Sequence, residues 1–186
     1  MSAVSGTEVP QLDERYNAVA RLFHWAVVVL LVMQISTKLI APYVLPESAE
    51  GAINAWHLSI GSTILFLMVL RLAWRLTHPV PPSPADLPLP LRMVSRATHW
   101  AFYTVLIILP LLGWAAASAY GAQVNLFGFI PLPALGAKDI PLGERIGDLH
   151  GVLAVALLGL MALHIAGVMY HAFVKKDGVA KRMLPG

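Results

Sequence analysis

The run LHGVLAVALLGLMALH, residues 149–164, carries no charge and has an imidazole near each end. Its two histidines, His150 and His164, are 164 − 150 = 14 residues apart. At 100° and about 1.5 Å per residue, that spacing returns to one helix face within about 40° and separates the rings by roughly 21 Å. Placing an imidazole in an apolar segment of hydrocarbon length costs several kcal/mol, so such a residue is functional by default. A single helix is thereby positioned to serve two sites stacked along its axis.

The rest of the chain has the same character. Of 186 residues, 58% are hydrophobic and 12% charged, against about 25% charged in soluble domains. Predominantly apolar stretches of spanning length fall at about 20–41, 54–76, 97–120 and 144–174, behind a polar tail at 1–15. At roughly 20 apolar residues per spanning helix, four spans use nearly the whole length. The runs are continuous and do not alternate, which indicates helices and not barrel strands. The expectation is an all-α integral membrane four-helix bundle, residues 1–186 forming one transmembrane domain. No short basic region with a small-residue cleavage site opens the chain, so the first apolar segment is expected to be retained.

The connections differ. The second, from His78 to Pro90, contains six prolines, cannot be helical throughout and is expected to run extended along the surface. The third, Gly121 to Gly143, is the longest and has an apolar centre suited to the membrane interface. Ten basic residues (Arg15, Arg21, Arg71, Arg75, Arg92, Arg96, Lys175, Lys176, Lys181, Arg182) lie on the side of the termini, and three (Lys38, Lys138, Arg145) lie opposite. The positive-inside rule then puts both termini in the cytoplasm. Trp25, Trp56, Trp74 and Trp100 fall near span ends, as interface anchors do.

This orientation assigns depths. His57 and His150 open helices from the outer side, His24 opens the first from the cytoplasm, and His164 returns toward it. The expected pairs are His57 with His150 and His24 with His164, one per leaflet. Facing neutral imidazoles suit six-coordinate haem iron, each ring donating its other N–H to an acceptor. Zinc competes less well, since it prefers three or four clustered ligands, whereas these come two by two in separate layers. Cysteine is absent, which excludes thiolate ligands, disulfides and covalently attached c-type haem. Two haem b groups are therefore expected. Ser59, Gly61, Gly151 and Gly167 offer room for a macrocycle, though close helix packing explains each equally well. His78, His99 and His171 sit at cytoplasmic ends as interfacial rings, with His99 the alternative ligand there. Arg71, Arg75, Arg92 and Arg96 are ordinary positive-inside residues, with haem propionates as a secondary role. Lys138 and Arg145 stand where positive charge is scarce. They are placed either to attract a small anion to the outer haem or to pair with Asp139 and Glu144.

Taken together, RLFHW at 21–25, NAWHLSIG at 54–61, VLRLAWRLTHPVPP at 69–82, the opening run at 149–164 and HAFVKKD at 171–177 resemble the bacterial cytochrome b561 family. The resemblance implies an inner-membrane four-helix bundle with two b-type haems, whose axial ligands map onto His24, His57, His150 and His164. It further implies a superoxide oxidase-like reaction, with superoxide giving its electron at the periplasmic side and ubiquinone accepting it. Lys138 and Arg145 would then guide superoxide to the outer haem. The third connection departs from that pattern in length and in its FGFIPLPAL centre. The alternative is a cytochrome b anchor that takes electrons from the iron–sulfur partner of a hydrogenase or formate dehydrogenase and passes them to quinone.

Overall fold

A computed structural model describes residues 15–84 and 87–184; apart from Arg15, the polar tail expected at 1–15 lies outside the described residues. Five α-helices form: α1 (Ala18–Leu39), the single turn α2 (Ala41–Val44), α3 (Glu50–Thr77), α4 (Leu89–Ala119) and α5 (Ile140–Met169). All but α2 belong to segments long and apolar enough to cross a membrane. They run up, down, up and down, so both described chain ends meet on one face, here the terminal face. Tyr16 N–H donates to the Arg182 carbonyl there at 3.3 Å.

Local chemistry sets the helix ends. The Asn17 side chain accepts the Ala20 N–H at 2.8 Å, and Asp139 accepts the Leu142 N–H at 3.0 Å, each filling an otherwise unmet donor of a first turn. Pro90 and Pro141 lie in first turns, where a missing N–H costs nothing. Accordingly α4 and α5 begin at Leu89 and Ile140, earlier than the apolar runs at 97 and 144: caps and prolines start a helix in the polar flank before the hydrocarbon begins. Pro110 sits inside α4 without ending it, as membrane helices tolerate.

The four long helices share a core of Val27 and Leu31 from α1, Ile60 and Ile64 from α3, Leu106 from α4 and Leu157 from α5. Outside that seam, large apolar side chains such as Leu22, Val32, Val155 and Phe173 are exposed. In lipid this is the expected surface, because tails are as apolar as leucine and bundles are held by packing and polar ties.

The third connection is more than an interfacial stretch. It folds into a hairpin of β1 (Asn125–Leu126) and β2 (Ile130–Pro131), antiparallel with Leu126 opposite Ile130. The turn has positive φ at Phe127 (50°) and Gly128 (80°), the sign pattern of a type I′ turn. Its backbone is met by the bundle. The Ser59 hydroxyl takes the Phe127 N–H at 3.0 Å and donates to the Asn125 carbonyl at 3.1 Å. Trp114 Nε1 donates to the Pro133 carbonyl at 3.0 Å, and Ser118 Oγ accepts the Leu135 N–H at 3.1 Å. Ser59 lies two residues further into α3 than His57, so the hairpin reaches the depth of that histidine. Non-helical backbone at such depth is viable only when protein groups satisfy it.

Candidate functional site

Two imidazole pairs bridge the bundle at different depths. Near the hairpin face, His57 of α3 and His150 of α5 have ring centres 6.3 Å apart with planes at 72°. Toward the terminal face, His24 of α1 and His164 of α5 also lie 6.3 Å apart, at 64°. With imidazole–metal bonds of about 2.0 Å and a nitrogen about 1.1 Å from its ring centre, imidazoles on opposite sides of one ion have centres about 6.2 Å apart. Both pairs have the separation of opposed axial ligands. Among the described residues, no group of three or more His, Cys, Asp or Glu is placed to hold a bare metal ion.

The pair near the hairpin is oriented by acceptors. Thr37 Oγ1 donates to the Gln34 carbonyl at 2.6 Å, so at 2.8 Å from His57 Nδ1 it accepts that ring's N–H. His150 Nδ1–H donates to the Leu109 carbonyl at 3.0 Å. Each ring therefore carries its proton on Nδ1 and keeps a lone pair on Nε2, the form a metal ligand requires. The His57 Nε2 lone pair is met by the Gln34 side-chain amide at 3.1 Å, while Gln34 Oε1 is buried without a partner. An unpaired buried oxygen beside a ligand-ready nitrogen fits a site built for a further group. His150 reaches Leu109 over Gly113, where an added Cβ would lie 3.1 Å from the ring's Cε1.

The pair near the terminal face is framed by cations and aromatic rings. Arg71 Nη2 points at His24 Nδ1 at 3.3 Å. Arg71 and Arg75 stack over the Tyr103 ring at 5.9 and 6.0 Å. His164 is packed by Phe102 at 5.4 Å and by His99 at 5.8 Å. His99 Nδ1–H donates to the Ser95 carbonyl at 2.6 Å, so His99 too carries a lone pair on Nε2, beside the pair and not merely at the interface. Outward from Arg71, a small open cleft is lined by Tyr16, Trp74, His78 and Tyr103 among others.

Several side chains behave differently from expectation. Ser59 ties the hairpin. Gly61 faces Gln34, while Gly151 and Gly167 have nothing within 4 Å of an added Cβ. The glycine that admits a histidine is Gly113. His78 stacks on Trp74 at 3.6 Å, and His171 bonds Asp177 at 2.7 Å. Lys138 and Arg145 are exposed at the hairpin face and, among the described residues, in no ion pair; Asp139 instead caps α5. Lys38, which donates to Asn54 Oδ1 at 2.6 Å, is the cation next to Thr37, the residue that contacts His57. Gln34 and Thr37 escaped the sequence reading, and Lys38 entered it only as a basic residue of the outer side. Their signal was there: polar residues at i, i+3 and i+4 mark one face of an otherwise apolar α1.

A four-helix membrane bundle with opposed imidazoles, and no thiolate to anchor a cofactor covalently, is the arrangement of a b-type cytochrome. The chain belongs to the prokaryotic cytochrome b561 family, whose profile matches residues 15–186. It is 30% identical over 174 residues to cytochrome b561 homolog 2 of Escherichia coli (strain K12), covering 92% of each chain. It is 28% identical over 177 residues, 94% of this chain and 98% of the relative, to the probable superoxide oxidase CybB of Yersinia pestis. Cytochrome b561 homolog 1 of Escherichia coli (strain K12) is 28% identical over 133 residues. Membership carries b-type haem and electron transfer in a multi-pass inner-membrane protein.

Proposed function

We propose that this cytochrome holds two haem b groups, His57 and His150 ligating one and His24 and His164 the other, and carries electrons from superoxide to ubiquinone. The observation that carries this reading is the pair of facing imidazole sets, each at 6.3 Å, in two layers joined by α5. Both termini face the cytoplasm, by the ten-to-three division of basic residues, so the hairpin face is periplasmic.

Haem b supplies a one-electron couple at each layer. The protein supplies position and charge. The Thr37 hydroxyl and the Leu109 carbonyl fix the outer rings with Nε2 toward the cofactor. Lys38, Lys138 and Arg145 raise the local concentration of a small anion such as superoxide at the outer face. Ubiquinone needs two electrons and two protons for each ubiquinol, so two superoxide ions are consumed per quinone reduced.

The test is ubiquinone reduction by the purified holoprotein supplied with superoxide. Ubiquinol formation that depends on both protein and superoxide is expected. Haem that superoxide does not reduce, or that superoxide reduces but added quinone does not reoxidise, overturns the reading and points to an anchor subunit served by an iron–sulfur partner.

A further inference from the structure

We infer that Arg71 makes the haem site at His24 and His164 easier to reduce than the site at His57 and His150, so that the protein has a built-in direction for electrons, from the hairpin face to the terminal face. The inference rests on the two-haem reading and concerns what surrounds each imidazole pair.

At the hairpin side both rings donate Nδ1–H to oxygen, His57 to Thr37 Oγ1 at 2.8 Å and His150 to the Leu109 carbonyl at 3.0 Å. An N–H that donates to an oxygen leaves its ring more electron-rich, and a more basic imidazole favours the oxidised metal. At the terminal side His24 Nδ1 faces a guanidinium at 3.3 Å. Arginine has five donors and no acceptor, so nothing there draws on a ring N–H, and His164 makes no hydrogen bond among the described residues. Neither of these imidazoles is made more basic.

Charge acts in the same direction. The Arg71 guanidinium lies 3.3 Å from His24 Nδ1, Arg75 stands over the same Tyr103 ring as Arg71, and among the described residues neither arginine pairs with a carboxylate. A half-buried positive charge held close favours the state that has gained an electron. Lys38 follows Thr37 on α1 and is the cation on the side of the other pair, but it is exposed and bound to Asn54, so water and salt screen it more strongly. Passing one electron between layers oxidises the hairpin-side iron as it reduces the terminal-side iron, and the asymmetry makes that exchange favourable.

The experiment is a redox titration of the purified holoprotein followed by its visible haem bands, with haem content measured in parallel. Two midpoints are expected, and the higher one survives in His150→Ala, which keeps only the terminal-side haem. Arg71→Gln is expected to lower the higher midpoint alone, whereas Arg71→Lys, which keeps a cation, holds it near wild type. Thr37→Val is expected to raise the lower midpoint alone. If Arg71→Gln sheds its haem, Thr37→Val still decides, because an unmoved lower midpoint overturns the asymmetry. A higher midpoint that disappears with His150→Ala overturns the inference, as does a terminal-side midpoint unmoved in Arg71→Gln, the result expected of a guanidinium neutralised by haem propionates. One haem per wild-type chain sinks the two-haem reading itself; two haems with the wrong order sink only the inference.

Discussion

The two histidine layers have the same ring separation but are built from different materials. The hairpin-side layer is held by neutral acceptors and by backbone, with the Leu109 carbonyl, the Thr37 hydroxyl and Gly113 all within contact of a ring. The terminal-side layer is held by side chains alone: two guanidiniums, a phenol, a phenylalanine and a third imidazole. A backbone carbonyl cannot be mutated away or swing aside, so the first layer is defined by how closely helices approach. The second is defined by which long side chains happen to fill it, and it is open to solvent through the cleft. Rigidity is concentrated at the hairpin face and adaptability at the other.

The largest effect should come from the ligands. His57→Ala and His150→Ala are expected to lose the same haem, and His24→Ala and His164→Ala the other, each halving the haem content read by pyridine haemochrome. If His99→Ala instead removes the terminal-side haem, that layer is built on a different ring. Next comes Gly113→Ala. Its Cβ would meet His150 at 3.1 Å, and overpacking of this kind costs about 1–3 kcal/mol, so a lower melting temperature and weaker haem retention are expected. Gly61→Ala is the control, because its equally close contact is the end of the flexible Gln34 side chain, which can move. Ser59→Ala leaves hairpin backbone groups without a partner at about 1–3 kcal/mol, and hydrogen exchange across residues 124–132 should quicken.

The smallest effect is expected at the C-terminal segment. Slight desolvation pushes the Asp177 carboxyl up, and hydrogen bonds from His171 and the Val179 N–H outweigh it, holding the group below its ordinary value. A depressed carboxylate contributes stability above its unfolded pKa and loses it as pH falls through the folded one. Acid should therefore loosen residues 177–183 before the helices, and Asp177→Asn should do so at neutral pH, at a cost of about 0–1 kcal/mol. Limited proteolysis of the C-terminus reads both.

Much of this was legible in the sequence because a membrane simplifies the problem. Length and charge placed four helices, and alternating direction then gave His150 and His164 their partners, His57 and His24, without any knowledge of packing. What stayed hidden depends on contacts between elements. Gly113 is one small residue among many until His150 is seen lying over it, and the Leu109 carbonyl has no sequence signature. Thr37 and Gln34 were visible as polar positions, but an isolated hydroxyl in a membrane helix more often bonds its own backbone, as Ser36 does with the Val32 carbonyl at 2.8 Å. The hairpin stayed hidden because FGFIPLPAL reads only as an apolar stretch, while the groups that hold it, Ser59, Trp114 and Ser118, come from helices far away in the chain.

That hairpin also orders how the protein is made. Each apolar helix can leave the insertion machinery for lipid with its backbone already satisfied, but residues 124–135 cannot, since each uncovered peptide group costs several kcal/mol in hydrocarbon. They must wait in water until Ser59 of α3 and Trp114 and Ser118 of α4 stand side by side. Docking of this segment is thus a late step of biogenesis.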